Sequence, residues 1–123
     1  GLAAFGFHGR VSTIGVDLGT TFSVVGVRIG GKVKIIEDDQ NHTIFPSVVS
    51  YYDNEEVVVG YNAISRLKSH PKMTIFNSKR FIGRSWEDES VQLYGNSHPF
   101  QITKCNKSIS NYSTIAFEIP LNE

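Results

Sequence analysis

At 123 residues, with 40% hydrophobic and 20% charged side chains, the chain is long enough for one domain with one modest core. Twelve basic and twelve acidic residues cancel, so no basic field recruits nucleic acid or anionic lipid. The single cysteine, Cys105, excludes an internal disulfide and a cysteine-only metal site and reads as a small packing residue; no apolar run is long enough to span a bilayer.

The first stretch, residues 1–11, is small, apolar and glycine-bearing, and reads as a tail or the remnant of a leader, with residues 12–123 as the folded portion. Ser12–Asp17 alternates into an apolar run and predicts a strand. Phe22–Ile29 is rich in β-branched residues and predicts a second. Gly30-Gly31 is a two-residue hairpin signal, because both glycines accept positive φ. Lys32–Ile36 returns as a third strand, making an antiparallel meander with DLGTT at one end. EDDQNHTIFP is a polar loop closed by Pro46. Ser47–Tyr52 and Glu56–Val59 predict strands around an Asp53-Asn54 turn. Asn62–Ser69 predicts a short helix that stops before Pro71.

Thr74–Gly83 has helical apolar spacing but several poor helix formers, so a short or broken helix is expected. Ser85 is expected to cap a helix beginning at Ser85–Glu89, where Glu87, Asp88 and Glu89 suit the positive end of the dipole. Pro99–Lys104 and Ile115–Ile119 predict late strands. The sequence stops at FEIPLNE, where a strand is expected to end, so a piece of a longer chain is expected.

DLGTT is the stretch that carries chemistry. Backbone N–H groups of a glycine-containing turn form an anion-binding nest, and threonine hydroxyls beside them donate to phosphate. A strand-end carboxylate can hold hydrated Mg²⁺, which keeps most of its waters. Asp17, Gly19, Thr20 and Thr21 therefore suit a Mg-nucleotide phosphate site, although the chain has no Walker loop. The same residues also suit an ordinary hairpin, with Asp17 accepting from backbone and Gly19 supplying positive φ. A carboxylate buried at that strand end would need a partner.

Other residues carry less. His8, His42, His70 and His98 lack metal-ligand spacing. Phe76, Phe81, Ile82 and Trp86 fall at near-helical spacing and are read as core. Ser23 and Ser47 lack the base and oxyanion context of a nucleophile.

The whole string IGVDLGTTFSVVGV, Ile14 to Val27, resembles the first signature of the Hsp70 chaperones, of the actin/hexokinase-type ATPase superfamily. The likeness continues through the PSVVSY strand, the VGYNA turn and the NSKRFIGR segment, from Thr13 to Lys104. It implies an α/β fold of the actin/hexokinase-like (ribonuclease H-like) type, present in part: the start of the first subdomain and the small β-rich subdomain above it. It further implies that Asp17 positions Mg²⁺ through water and that Gly19, Thr20, Thr21 and the turn backbone hold the β- and γ-phosphates of ATP or ADP. By the same resemblance Phe22 would lie beside the nucleotide. Lys79 would contact the γ-phosphate and help position the attacking water; ignoring the resemblance, it is a surface lysine in a basic pair. Arg80 and Arg84 fall on lobe-contact arginines, and Pro46 on a hinge-like proline.

Phe22 stands where the family has tyrosine, Asn77-Ser78 where it has Asp-Ala, and Ile44-Phe45 where it has a threonine pair. No second phosphate loop resembling DLGGGT, no acidic catalytic segment and no peptide-binding domain occurs within these residues. The implied function is the ATP-binding part of a chaperone whose full-length form couples hydrolysis to protein folding, served by J-domain co-chaperones and nucleotide-exchange factors. Alone, the chain is expected to bind ATP poorly and not to turn it over. The alternatives are a truncated, non-enzymatic binding module and an ATPase core without a peptide-binding domain, as in a short microsomal member of the family. Three Asn-X-Ser/Thr triplets, at Asn41, Asn106 and Asn111, lean toward the endoplasmic reticulum lumen over the cytosol.

Overall fold

The computed structural model describes residues 13–54, 56–105 and 114–120. The terminal tail and the triplets at Asn106 and Asn111 lie outside them. Strands β1 (Thr13–Leu18) and β2 (Phe22–Ile29) pair antiparallel from Thr13↔Arg28 to Leu18↔Ser23. Strand β3 (Lys32–Ile35) pairs with β2 across a turn in which Gly30 and Gly31 have φ of 57° and 82°. Two successive positive φ values are what the Gly-Gly pair supplies at low steric cost. A short strand, β4 (Phe45–Pro46), joins the start of β2 on the side away from β1, with Phe22 opposite Pro46. Ile14, Val16 and Leu18 of β1 stay more than half exposed.

The second sheet has the order β6 (Val57–Val59), β5 (Val48–Tyr51), β7 (Thr74–Phe76). Helix α1 (Gly60–Arg66) covers it and buries Ala63 completely. Beneath α1 runs a chain of hydrogen bonds. Arg66 Nε donates to Ser50 Oγ at 2.9 Å, Ser50 meets Thr74 Oγ1 at 2.9 Å, and Thr74 donates to the His70 carbonyl at 2.8 Å. The two buried hydroxyls are therefore satisfied, which removes the penalty of burying them.

Helix α2 (Glu89–Asn96) and the hairpin of β8 (Gln101–Cys105) and β9 (Thr114–Glu118) complete the described fold. The core gathers Ile75, Phe81, Val91 and Phe100. Phe117 stands edge-on to Phe81 and Phe100, with centroids 5.5 Å away in each case. These T-shaped pairs add to area burial. Cys105 is half-buried on β8.

Three expectations are corrected. Thr74–Gly83 holds no α-helix: Thr74–Phe76 pairs with β5, and Ser78–Arg80 forms a 3-10 turn. Thr74 and Ile75 gain burial in the sheet, so tertiary pairing outweighs the helical spacing. Ile82 is 68% exposed, not core. Ser85 is not the helix cap. α2 begins at Glu89, where the Asp88 carboxylate accepts from Ser90 N at 2.9 Å, while the Ser85 hydroxyl donates to Glu87.

Candidate functional site

Asp17 to Phe22 link β1 to β2. Asp17 pairs across the ladder with Val24 and is exposed, so the partner that a buried carboxylate would demand is not required. Thr20 is half-buried, and Thr21 and Phe22 are exposed. The hairpin is present, but Gly19 is not among the glycines of positive φ, which corrects the conformation expected of it. Its requirement is steric: a Cβ there would lie 2.1 Å from the Phe22 carbonyl oxygen. Any other residue must open the turn.

A distant segment fixes this turn. Ser47 follows β4, and its hydroxyl donates to the Gly19 carbonyl at 2.9 Å. Ser23 Oγ lies 2.8 Å from Ser47 Oγ, and Ser47 N donates to the Thr21 carbonyl at 2.8 Å. The Phe22↔Pro46 pairing brings Ser47 to this position. Ser47 thus braces the turn and Ser23 holds Ser47, a role that the absence of a nucleophile's context does not reveal. The signal was available: hydroxyls at the start of two strands that flank a polar turn and a proline.

Lys79 arrives from the other half of the molecule. Asn77 adopts the left-handed conformation, φ 56° and ψ 20°, and starts the 3-10 turn Ser78–Arg80. From that turn Lys79 Nζ donates to the carbonyl of Leu18, the residue before Gly19. The ammonium is exposed rather than buried and rests at the edge of the turn. Asp17, Gly19, Thr20, Thr21, Phe22 and Lys79 therefore converge on one place. Arg80 and Arg84 do not. Arg80 Nη1 reaches the Tyr94 hydroxyl at 3.3 Å, and Arg84 Nη1 bonds Asp88 and Ser90 at 3.0 Å each. The Ser90 hydroxyl and N–H, both donating to Asp88, hold its carboxyl below the usual carboxylate range, and the Arg84 bond adds to them.

The donor set can be tested for Mg²⁺. Among the described residues no three His, Cys, Asp or Glu side chains cluster to hold a metal. One exposed carboxylate beside a turn of backbone amides suits an ion that keeps its water shell and takes its other ligands from phosphate. Two cavities among the described residues lie elsewhere. One of about 570 Å³ adjoins Phe81, Ile82 and Phe117, and one of about 540 Å³ adjoins Trp86 and Phe100.

Residues 13–116 match the family model described as Hsp70 protein. The Heat shock 70 kDa protein 13 of Pongo abelii is 38% identical over an alignment of 112 residues that covers 89% of this chain and 22% of that protein. The chain spans about a fifth of the length of this curated relative, 22%.

Proposed function

The chain belongs to the Hsp70 family, and from that membership we propose that its Asp17–Phe22 turn and Lys79 form one wall of a Mg-ATP site. The fold is part of the family's actin/hexokinase-like ATPase architecture. The observation that carries the proposal is the Lys79 bond to the Leu18 carbonyl, made across 61 positions of sequence. A cation placed at the edge of a turn of amides and hydroxyls is suited to stabilise charge on a transferring phosphoryl group.

In this reading, Thr20, Thr21 and the turn amides bind the β- and γ-phosphates. Gly19 leaves the close approach that a side chain would block. The exposed Phe22 ring lies beside the nucleotide. Asp17 would hold Mg²⁺ through water, and the ion would supply neutralisation of the phosphate charge. Lys79 leaves the Leu18 carbonyl for a γ-phosphate oxygen and helps orient the attacking water. The remaining wall comes from elsewhere in the longer protein, where hydrolysis is coupled to protein folding and answered by J-domain co-chaperones and exchange factors.

The test is single-turnover ATP hydrolysis by the natural protein that carries these residues. Lys79→Ala is expected to lower the rate about 10²-fold, the scale of one lost electrostatic stabiliser. Its thermal midpoint should stay unchanged, because Lys79 is exposed. An undiminished rate overturns the assignment of Lys79. Multiple turnover by the isolated 123-residue chain overturns the one-wall reading.

A further inference from the structure

The turn that carries Lys79 is too short to hold itself. Ser78–Arg80 is a three-residue 3-10 turn, closed by Arg80 N to the Asn77 carbonyl at 2.9 Å and Phe81 N to the Ser78 carbonyl at 3.0 Å. Such turns have poor hydrogen-bond geometry and rely on their surroundings. Here both flanks are tied to the end of α2 and the residues just after it. On one flank, Asn77 Nδ2 lies 3.2 Å from His98 Nε2. On the other, Arg80 Nη1 donates to the Tyr94 hydroxyl at 3.3 Å, with its guanidinium 5.2 Å from that ring's centroid.

The His98 ring has little freedom. Its Nδ1 is 2.6 Å from the Tyr94 carbonyl, an acceptor, so Nδ1 carries the proton. Nε2 is then an acceptor, and the Asn77 amide donates to it. Ser97 Oγ also lies 3.2 Å from Nδ1. The ring packs against Phe76 and Phe100, with centroids 5.0 and 4.9 Å away. Tyr94 serves both flanks, its carbonyl through His98 and its hydroxyl through Arg80. The helix that bears it is anchored by Val91, which is wholly buried.

We infer that the C-terminal end of α2, with His98 just beyond it, is a positioning clamp for Lys79: His98 holds Asn77, Tyr94 holds Arg80, and the turn between them aims the ammonium at the Leu18 carbonyl. His98 and Tyr94 are positioning residues, acting through Asn77 and Arg80. The clamp's value for catalysis rests on the nucleotide reading above; its geometry does not.

The test therefore uses no nucleotide. The full chain is pulsed with limiting acetic anhydride, and mass spectrometry reads the acetylation of Lys79 against Lys32, Lys34 and Lys68. An ammonium held on a carbonyl reacts slowly, and a released one reacts like its surface neighbours. His98→Phe keeps the packed ring and removes both nitrogens. Asn77→Gly keeps the left-handed backbone and removes the amide. Each is expected to raise the relative rate at Lys79 roughly five-fold, the scale of one net hydrogen bond. The double variant should rise no further than His98→Phe alone, because Asn77→Gly then removes a partner of a bond that is already gone.

Unchanged Lys79 rates in both single variants, with the folded circular dichroism spectrum retained, overturn the clamp. A double variant whose rate exceeds that of His98→Phe by the full effect of Asn77→Gly also overturns it, since Asn77 then acts without His98. If His98→Phe does not fold, Asn77→Gly decides alone. A rise in Lys79 reactivity in a protein that never binds Mg-ATP keeps the clamp and sinks the nucleotide reading.

Discussion

In β1, Ile14 and Val16 leave 58% and 63% of their surface to solvent, while Phe100 and Val91 beneath the β8–β9 hairpin leave 1% and 0%. Apolar surface stabilises only to the extent that it is removed from water. The aromatic core can therefore hold α2, β7 and the Lys79 turn by burial. The first sheet cannot hold its own turn that way. The Gly19–Thr21 turn is instead fixed by directional bonds from Ser47, whose hydroxyl Ser23 meets in turn. The candidate site straddles this divide: its amides and hydroxyls stand on the polar-braced side and its cation on the packed side. The contrast teaches that the two parts of the site should fail under different perturbations.

The largest expected effect is on the packed side. Phe100→Ala removes a ring that is 1% exposed and stands edge-on to Phe76, Phe81 and Phe117. Urea unfolding should show a loss of about 3–5 kcal/mol, the range for deleting a buried aromatic. Val16→Ala, at 63% exposure, should stay within about 0.5 kcal/mol. Equal losses for the two would break the comparison, because Val16 would then be buried in the chain as it folds.

A smaller and local effect is expected on the polar-braced side. Ser47→Ala removes the donor to the Gly19 carbonyl and the partner of Ser23. It should cost about 1–3 kcal/mol, the range for leaving bonded groups unpaired. Hydrogen exchange is the informative measurement. Amides of Gly19 to Ser23 should exchange faster, while those of β8 and β9 keep wild-type rates. Uniform acceleration across both regions would show one cooperative unit in place of two differently held ones.

Much of this was legible because the signals were local. The Gly30-Gly31 hairpin, the first three strands and the polar turn follow from residue type and spacing. What was not legible depends on partners far along the chain. Thr74–Phe76 carries helical spacing, yet β5 recruits it as a strand. Asp88 displaces Ser85 as the cap because its carboxylate meets both Ser90 N and Ser90 Oγ. The steric need for Gly19 depends on where the Phe22 carbonyl folds back, which no propensity encodes. The convergence of Lys79 on the turn was expected only through family resemblance. Spacing alone cannot bring residues 18 and 79 together, whereas the fold does so through the Lys79–Leu18 bond.

The smallest expected effect separates the turn from the loop that leads to its brace. Between β3 and β4, the Asp38 carboxylate accepts from His42 N at 2.9 Å and Gln40 N at 2.8 Å, and meets His42 Nδ1 at 2.8 Å. The backbone bond from His42 acts most strongly to hold the Asp38 carboxyl below its ordinary value, with burial opposing and the remaining bonds assisting. A lowered folded pKa means that the stabilisation is present above the ordinary Asp value and is lost as pH falls through the lowered one. Acid should therefore release the amides of Gln40 and His42 first, seen as faster exchange and shifted resonances, and Asp38→Asn should remove that pH dependence. Ser47 lies a few residues beyond this loop and binds the turn through hydroxyl and backbone groups that do not titrate in this range. The Gly19–Thr21 amides should hold while the loop loosens. If they loosen together with it, the acidic loop is part of the brace, and the polar-braced region extends from Asp38 to Ser47.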